Sequence, residues 1–228
     1  MARPKRNQQH PDLQTAIKEV AREQIAEQGA AALSLRAIAR ELTITAPAIY
    51  NYFPSRDDLV TALIVDAYHS LAAALAEARD TKHEDHAANI IASANAYRNW
   101  ALAHPEQYGL IFGTPIPGYH APMEITGPAA AESMFVLIQV LDGAYQDGAF
   151  SLSEPSPALL ALLQPWVDQL DYAGPPGVIH LALASWAQIH GLVSLELFGH
   201  FTPDPGNGDA KVLFDTEIQT TAARIVME

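Results

Sequence analysis

The chain has no cysteine. One absence thus excludes disulfides, thiolate zinc sites and a cysteine nucleophile. Basic residues are scarce, with 13 Lys and Arg against 26 Asp and Glu in 228 residues, a net charge of −13. No glycine-rich phosphate loop opens a helical pattern and no G-x-S-x-G occurs. The His, Asp and Ser residues show no spacing that suggests a triad, so neither catalysis nor a cofactor is expected. The basic N-terminus is not followed by an apolar run, so no signal peptide is read and a cytoplasmic protein is expected. The most apolar stretch, residues 178–201, is interrupted by His180, Gln188, His190, Glu196 and His200, which argues against a membrane span. No period-two alternation appears either, leaving an all-α fold without internal repeats. A hydrophobic content of 49% is ample for a core.

The acidic balance argues against nucleic acid until the chain is divided. Residues 1–60 hold 8 Lys and Arg against 7 Asp and Glu, or +1, whereas the remainder holds 5 against 19, or −14. Arg3, Lys5 and Arg6 stand among the first ten residues with no acid. Such an arm can track phosphates or enter a minor groove, the alternative being an inert terminus. The acidic remainder reads as a solvated surface that would also be repelled from DNA.

Helical patterning begins with Leu13, Ile17, Val20, Ala21 and Ile25 on one face, and Gly29 sits where a left-handed residue would end that helix. Residues 34–59 follow as SLRAIARELTITAPAIYNYFPSRDDL. Ser34 is a suitable N-cap for a short helix carrying Leu35, Ile38, Ala39 and Leu42. Thr43-Ile44-Thr45 breaks the pattern. Thr45 can cap a second short helix with Pro47 in its first turn, and Pro54 stops it. Ser55 caps a third, with Asp57 and Asp58 where the helix dipole favours anions. Two short helices on a three-residue turn are a helix-turn-helix pattern.

This stretch resembles the DNA-binding head of TetR-family transcriptional regulators. The signature there is an aromatic pair before a Phe, then a basic and an acidic residue; here these are Tyr50, Tyr52, Phe53, Arg56 and Asp57 or Asp58. The turn departs from the pattern by placing Thr43 where Gly is usual, so it is expected to form without a positive φ there. Arg56 replaces the commoner Lys and keeps its charge. The resemblance implies phosphate contacts from Ser34, Tyr50, Tyr52 and Arg56. Arg36 can bond guanine O6 and N7, and Asn51 adenine N6 and N7, while Ala46 and Pro47 suit thymine methyls. Thr45 is expected to cap first and contact DNA second. Core packing of Tyr50, and an ion pair or phosphate contact for Arg36, stay open.

The third helix of that pattern continues from about 55 to 79, too far for a small head, and is expected to link residues 1–59 to a larger ligand-binding and dimerisation bundle at 60–228. Helices are expected near 84–103, 105–112, 129–146, 158–170, 178–198 and 210–226, with 114–128 as the longest loop. Trp186, His190 and Gly191, with Leu195 and Glu196, resemble the Trp-His-Gly type of C-terminal domain in one TetR branch. An effector pocket is expected to include Tyr97, Trp100, Phe112, Met134, Phe135, Trp166, Trp186 and His190, each of which is also compatible with plain core. Glu196, if buried, needs a partner such as a ligand, His200 or a second subunit. His83 and His86 lack a third ligand, so no metal is expected. The function read from the residues and the resemblance is a homodimeric repressor, released from a double-stranded DNA operator by a small, largely apolar molecule. The alternative is a helical ligand-binding or enzymatic domain that no longer reads DNA.

Overall fold

The computed structural model describes residues 11–81, 83–201 and 210–227; the expected arm with Arg3, Lys5 and Arg6 lies outside them. Among the described residues every regular element is helical, as the sequence pattern requires. In chain order these are α1 (Pro11–Gln28), a 3-10 turn (Ala30–Ala32), α2 (Leu35–Glu41), α3 (Ala46–Tyr50), α4 (Arg56–Asp80), α5 (His86–Ala103), α6 (Pro105–Phe112), α7 (Met123–Gln146), α8 (Pro157–Leu170), α9 (Pro176–Leu197) and α10 (Ala210–Met227). The chain forms two compact units, one from the chain up to Ala67 together with 104–127, the other from 68–103 and 128 onward.

In the first unit the helical stripe of α1, Ile17, Val20, Ala21 and Ile25, is buried, as are Leu35, Ile38, Ile49, Phe53 and Leu59. Truncating a fully buried residue such as Ile38 or Ile49 to Ala would cost about 2–5 kcal/mol. Gly29 ends α1 at φ 79 and ψ 158, a positive-φ conformation that is not left-handed helical but is still open essentially to glycine alone. Lys18 Nζ and Arg22 Nη2 both donate to the carboxylate of Asp66 at 2.8 Å, pinning α1 to α4. α6 packs on α1, burying Tyr108 edge-on to Phe112 with ring centroids 5.2 Å apart. The hydroxyls of Thr61 and Tyr119 share a hydrogen bond of 2.9 Å, fastening the stretch after α6 to α4.

α7 starts at Met123, earlier than the expected start at Ala129, and encloses Pro128. The carbonyl of Pro122 accepts from the N–H groups of Ile125 and Thr126, both at 2.9 Å, and from the Thr126 hydroxyl at 3.1 Å. These bonds nucleate the helix before the proline. Pro128 then removes one rung near the start, where the loss is smallest.

In the second unit α5 packs against α9 and α10, and α8 against α9. The core includes Leu71, Leu75, Ile90, Tyr97, Trp100, Ile138, Leu141, Ile179, Val193, Phe214 and Ile218. Trp100 Nε1 donates to Ser70 Oγ at 3.0 Å, holding α5 to α4. α4 and α9 are each long and apolar enough to cross a membrane by length and composition. α9, however, carries Glu196 into an ion pair with Arg98 within the bundle.

Candidate functional site

Between α2 and α3 the chain turns on two hydrogen bonds. The Thr43 N–H reaches the Arg40 carbonyl at 3.2 Å and the Ile44 N–H the Ala39 carbonyl at 2.9 Å. This pair is a Schellman closure, which requires a left-handed residue just past the helix. Thr43 is that residue, with φ 54. The expectation of a turn without positive φ is therefore corrected: both bonds form only with Thr43 left-handed, and a β-branched residue bears a strain of about 1–2 kcal/mol.

Ser34 caps α2, its hydroxyl accepting from the Ala37 N–H at 3.3 Å while its own N–H donates to Gln24 Oε1 at 3.4 Å. Thr45 occupies the N-cap position of α3 and its carbonyl accepts from the Ala48 N–H at 2.9 Å. Its side chain makes no capping bond, contrary to expectation, because the backbone already closes that turn. Ile49 and Phe53 are buried under α3. Arg36, Thr45, Ala46, Pro47 and Asn51 are exposed, as is Tyr50 at 42%, while Tyr52 is half-buried.

Arg56 is half-buried and turned inward in part. Its Nη2 donates to the Ala30 carbonyl at 2.8 Å and the Ala31 carbonyl at 3.4 Å, and its Nη1 lies 3.5 Å from Asp57 Oδ1. It straps the 3-10 turn to the start of α4. Backbone acceptors leave no sequence signal, so this contact was not legible beforehand. Ser55 accepts from the Asp58 N–H at 3.1 Å and donates to its carboxylate at 2.7 Å, closing the start of α4.

In the second unit the structure joins three of the expected pocket residues. The Tyr97 hydroxyl meets His190 Nδ1 at 3.0 Å, and Trp186 lies against the imidazole with ring centroids 5.2 Å apart. His190 Nε2 faces Ser194 Oγ at 3.4 Å. Burial holds the His190 imidazole below its ordinary pKa, favouring the neutral ring. Trp186 also lines a cleft of about 30 Å³ between α5, α7 and α9, with Ile90, Ser93, Ala94, Leu137, Leu141 and Ile189 among its neighbours. Met134 is buried and Phe135 half-buried on α7, and Trp166 is half-buried on α8. Phe112 belongs to the first unit.

A larger, open cleft of about 730 Å³ is walled by residues 150–156 and by α9 and α10, including Leu152, His180, Gln188 and Arg224. Its first wall reads in sequence only as a turn rich in Ser and Pro. Glu196 finds its partner in Arg98: Nε donates to Oε2 at 2.7 Å, Nη2 donates to Oε1, and the guanidinium lies 5.5 Å from the centroid of the Phe214 ring. His83 Nε2 bonds the Ala78 carbonyl at 2.7 Å, whereas His86 Nε2 faces Asp147 at 3.3 Å. The two histidines thus turn to separate partners.

Known proteins share this fold. Residues 17–63 match the bacterial regulatory proteins of the tetR family, and residues 90–221 match the tetracyclin repressor-like C-terminal domain. The HTH-type transcriptional regulator Rv1816 of Mycobacterium tuberculosis is 34% identical over 223 residues, covering 96% of this chain and 94% of that protein. The regulator Mb1846 of Mycobacterium bovis matches to the same extent. Among solved structures, the regulatory protein SCO4313 is 38% identical with a TM-score of 0.78, covering 96% of this chain and 98% of that one. PfmR of Thermus thermophilus, a TetR family transcriptional regulator, shares the fold at 16% identity and a TM-score of 0.61, over 91% and 97% of the two chains. A helix-turn-helix head joined to a matching C-terminal helical domain, with a relative of this identity along almost the whole chain, places the protein in the TetR family of DNA-binding transcriptional regulators.

Proposed function

We propose that the protein is a homodimeric repressor released from its operator by a small, largely apolar molecule. The observation that carries the docking scheme is α3, which buries Ile49 beneath it and leaves Ala46, Pro47, Tyr50 and Asn51 in solvent. In this reading Ser34, Tyr50, Tyr52 and Arg56 hold phosphates, and Arg36 and Asn51 read purine edges from the major groove. Ala46 and Pro47 meet thymine methyls. Thr45 contributes a hydroxyl that capping does not consume.

One short recognition helix reads only a half-site, so a second copy is needed. α9 and α10 are the proposed dimer face. Only 28% of the most apolar window of α9 is buried within the chain. Leu195, Phe198, Val212 and Leu213 are exposed there or beside it. Apolar surface on this scale needs a cover, and pairing α9 and α10 with their mates supplies one.

The effector is placed in the second unit, around Tyr97, Trp186 and His190, with Trp100, Met134, Phe135 and Trp166 as further candidates; Phe112, in the first unit, is not among them. α4 is unbroken over 25 residues, about 37 Å, and passes from the first unit into the second. Effector binding then tilts this shared rod and changes the separation of the two recognition helices, which must stay near ~34–36 Å for successive major grooves. Effector preference for one arrangement sets how far the equilibrium moves.

Gel-shift titration against the DNA upstream of the protein's own gene tests the scheme. A specific shift surviving competitor DNA is expected. Spin labels at Asn51 in both subunits should report a changed distance when effector releases the DNA. Release with an unchanged distance would overturn the rod mechanism.

A further inference from the structure

The cleft between α5, α7 and α9 is lined by Ile90, Ala94, Leu137, Val140, Leu141, Ala182, Trp186 and Ile189, and its polar members are the hydroxyls Ser93 and Ser185. No lining residue is ionisable. Ser93 is 3% exposed, and its Oγ has no hydrogen-bond partner among the described residues. One helical turn earlier on the same face of α5, the buried Oδ1 of Asn89 is likewise unpartnered. An orphaned buried hydroxyl costs about 1–3 kcal/mol, so Ser93 Oγ beside this apolar cleft calls for a bound group.

The nearest cation on α5, Arg98, is committed to Glu196, with both side chains close to fully buried at 8% and 13% exposure. A carboxylate or phosphate entering the cleft would meet no counter-charge, and burying it unpaired is prohibitive. The cleft is small, about 30 Å³, which suits the end of a ligand better than a compact polycyclic body.

We propose that this cleft takes the terminus of an elongated, uncharged, apolar molecule carrying one hydroxyl or carbonyl oxygen, which hydrogen-bonds Ser93 Oγ. Trp186 forms the apolar wall and passes the contact on to His190 and Tyr97. This assignment rests on the effector reading above and specifies its chemistry.

Calorimetry with 1-octanol and octanoate on the full-length protein at neutral pH tests it. The alcohol should bind, and the carboxylate should bind at least about tenfold more weakly. Ser93→Ala, which suits a helix and leaves the fold intact, should weaken 1-octanol about three- to tenfold. It should also raise the melting temperature of the ligand-free protein by removing the orphaned hydroxyl. Absence of 1-octanol binding, equal binding of octanoate, or an unchanged affinity in Ser93→Ala would each overturn the assignment. A lowered melting temperature in Ser93→Ala would also overturn it, in favour of a buried water on Ser93. Gel shifts separate the two readings. Ser93-dependent octanol binding that leaves DNA affinity unchanged sustains the site and sinks release by effector. Release of DNA by a molecule insensitive to Ser93→Ala does the reverse.

Discussion

Arg98 on α5 and Glu196 on α9 form a two-pronged ion pair that is almost sealed from water, with Phe214 of α10 against the guanidinium. The pair therefore ties together the three helices that contact one another in the second unit. Removing one partner strands a buried charge, at a cost of about 3–5 kcal/mol. Glu196→Gln and Arg98→Met should each lower stability by that order in denaturant titration. The double variant Arg98→Met/Glu196→Leu should recover much of the loss, because no unpaired charge remains. Additive losses in the double variant would show that the two side chains do not act as a pair.

Thr43 predicts a gain. Its left-handed backbone costs about 1–2 kcal/mol relative to glycine, of which glycine's greater freedom in the unfolded chain returns about 0.5–1 kcal/mol. Thr43→Gly should stabilise the protein by about 0.5–1 kcal/mol, with Thr43→Asn intermediate. Chemical denaturation measures this directly, and a destabilised Thr43→Gly would mean that the turn closes differently.

Arg56 distinguishes two roles in one experiment. As a phosphate contact it contributes a cation, and its loss should reduce the slope of log affinity against log salt by ~0.9. As a strap on the Ala30 and Ala31 carbonyls it orders the 3-10 turn, and its loss should then lower affinity with the slope intact. Arg56→Ala is expected to lower affinity and to reduce the slope; lowered affinity with an intact slope would leave the strap alone as its role. Arg36→Ala should instead blur preference at one base position, worth about 1–3 kcal/mol.

His190 predicts a pH effect of definite sign. Burial lowers its pKa in the folded protein, so near and below the ordinary imidazole value of about 6.5 the unfolded chain binds more protons. Stability is then complete above that value and falls as the pH drops through it toward the lowered folded pKa. Melting temperatures between about pH 7.5 and pH 5.5 should decline, and His190→Gln should flatten that decline. A profile unchanged by the substitution would assign the acid sensitivity to other groups.

The sequence by itself determined the helical order, because local rules suffice for it. The apolar spacing of Ile17, Val20, Ala21 and Ile25 specifies a buried stripe, and Ser34, Pro47, Pro54 and Pro105 mark helix ends through backbone chemistry that neighbours cannot change. The helix-turn-helix head was legible for the same reason: the residues that carry its pattern lie within 23 consecutive positions, from Ser34 to Arg56. Even there, Thr43 escaped the local reading. Its strain is imposed by the two closing hydrogen bonds, while β-branching alone predicts avoidance of positive φ.

Tertiary structure decided the pairings across long separations. Glu196 had several conceivable partners in sequence, and only the packing of α5 on α9 selects Arg98, 98 residues away. Tyr97 and His190 were each legible as pocket candidates, yet their contact across 93 residues was not. Ser93 is the clearest case. On the sequence it is one small polar residue in an apolar helix, and nothing local says whether its hydroxyl is satisfied. That depends on which side chains α7 and α9 bring opposite it, and apart from Ser185 those lining the cleft are apolar.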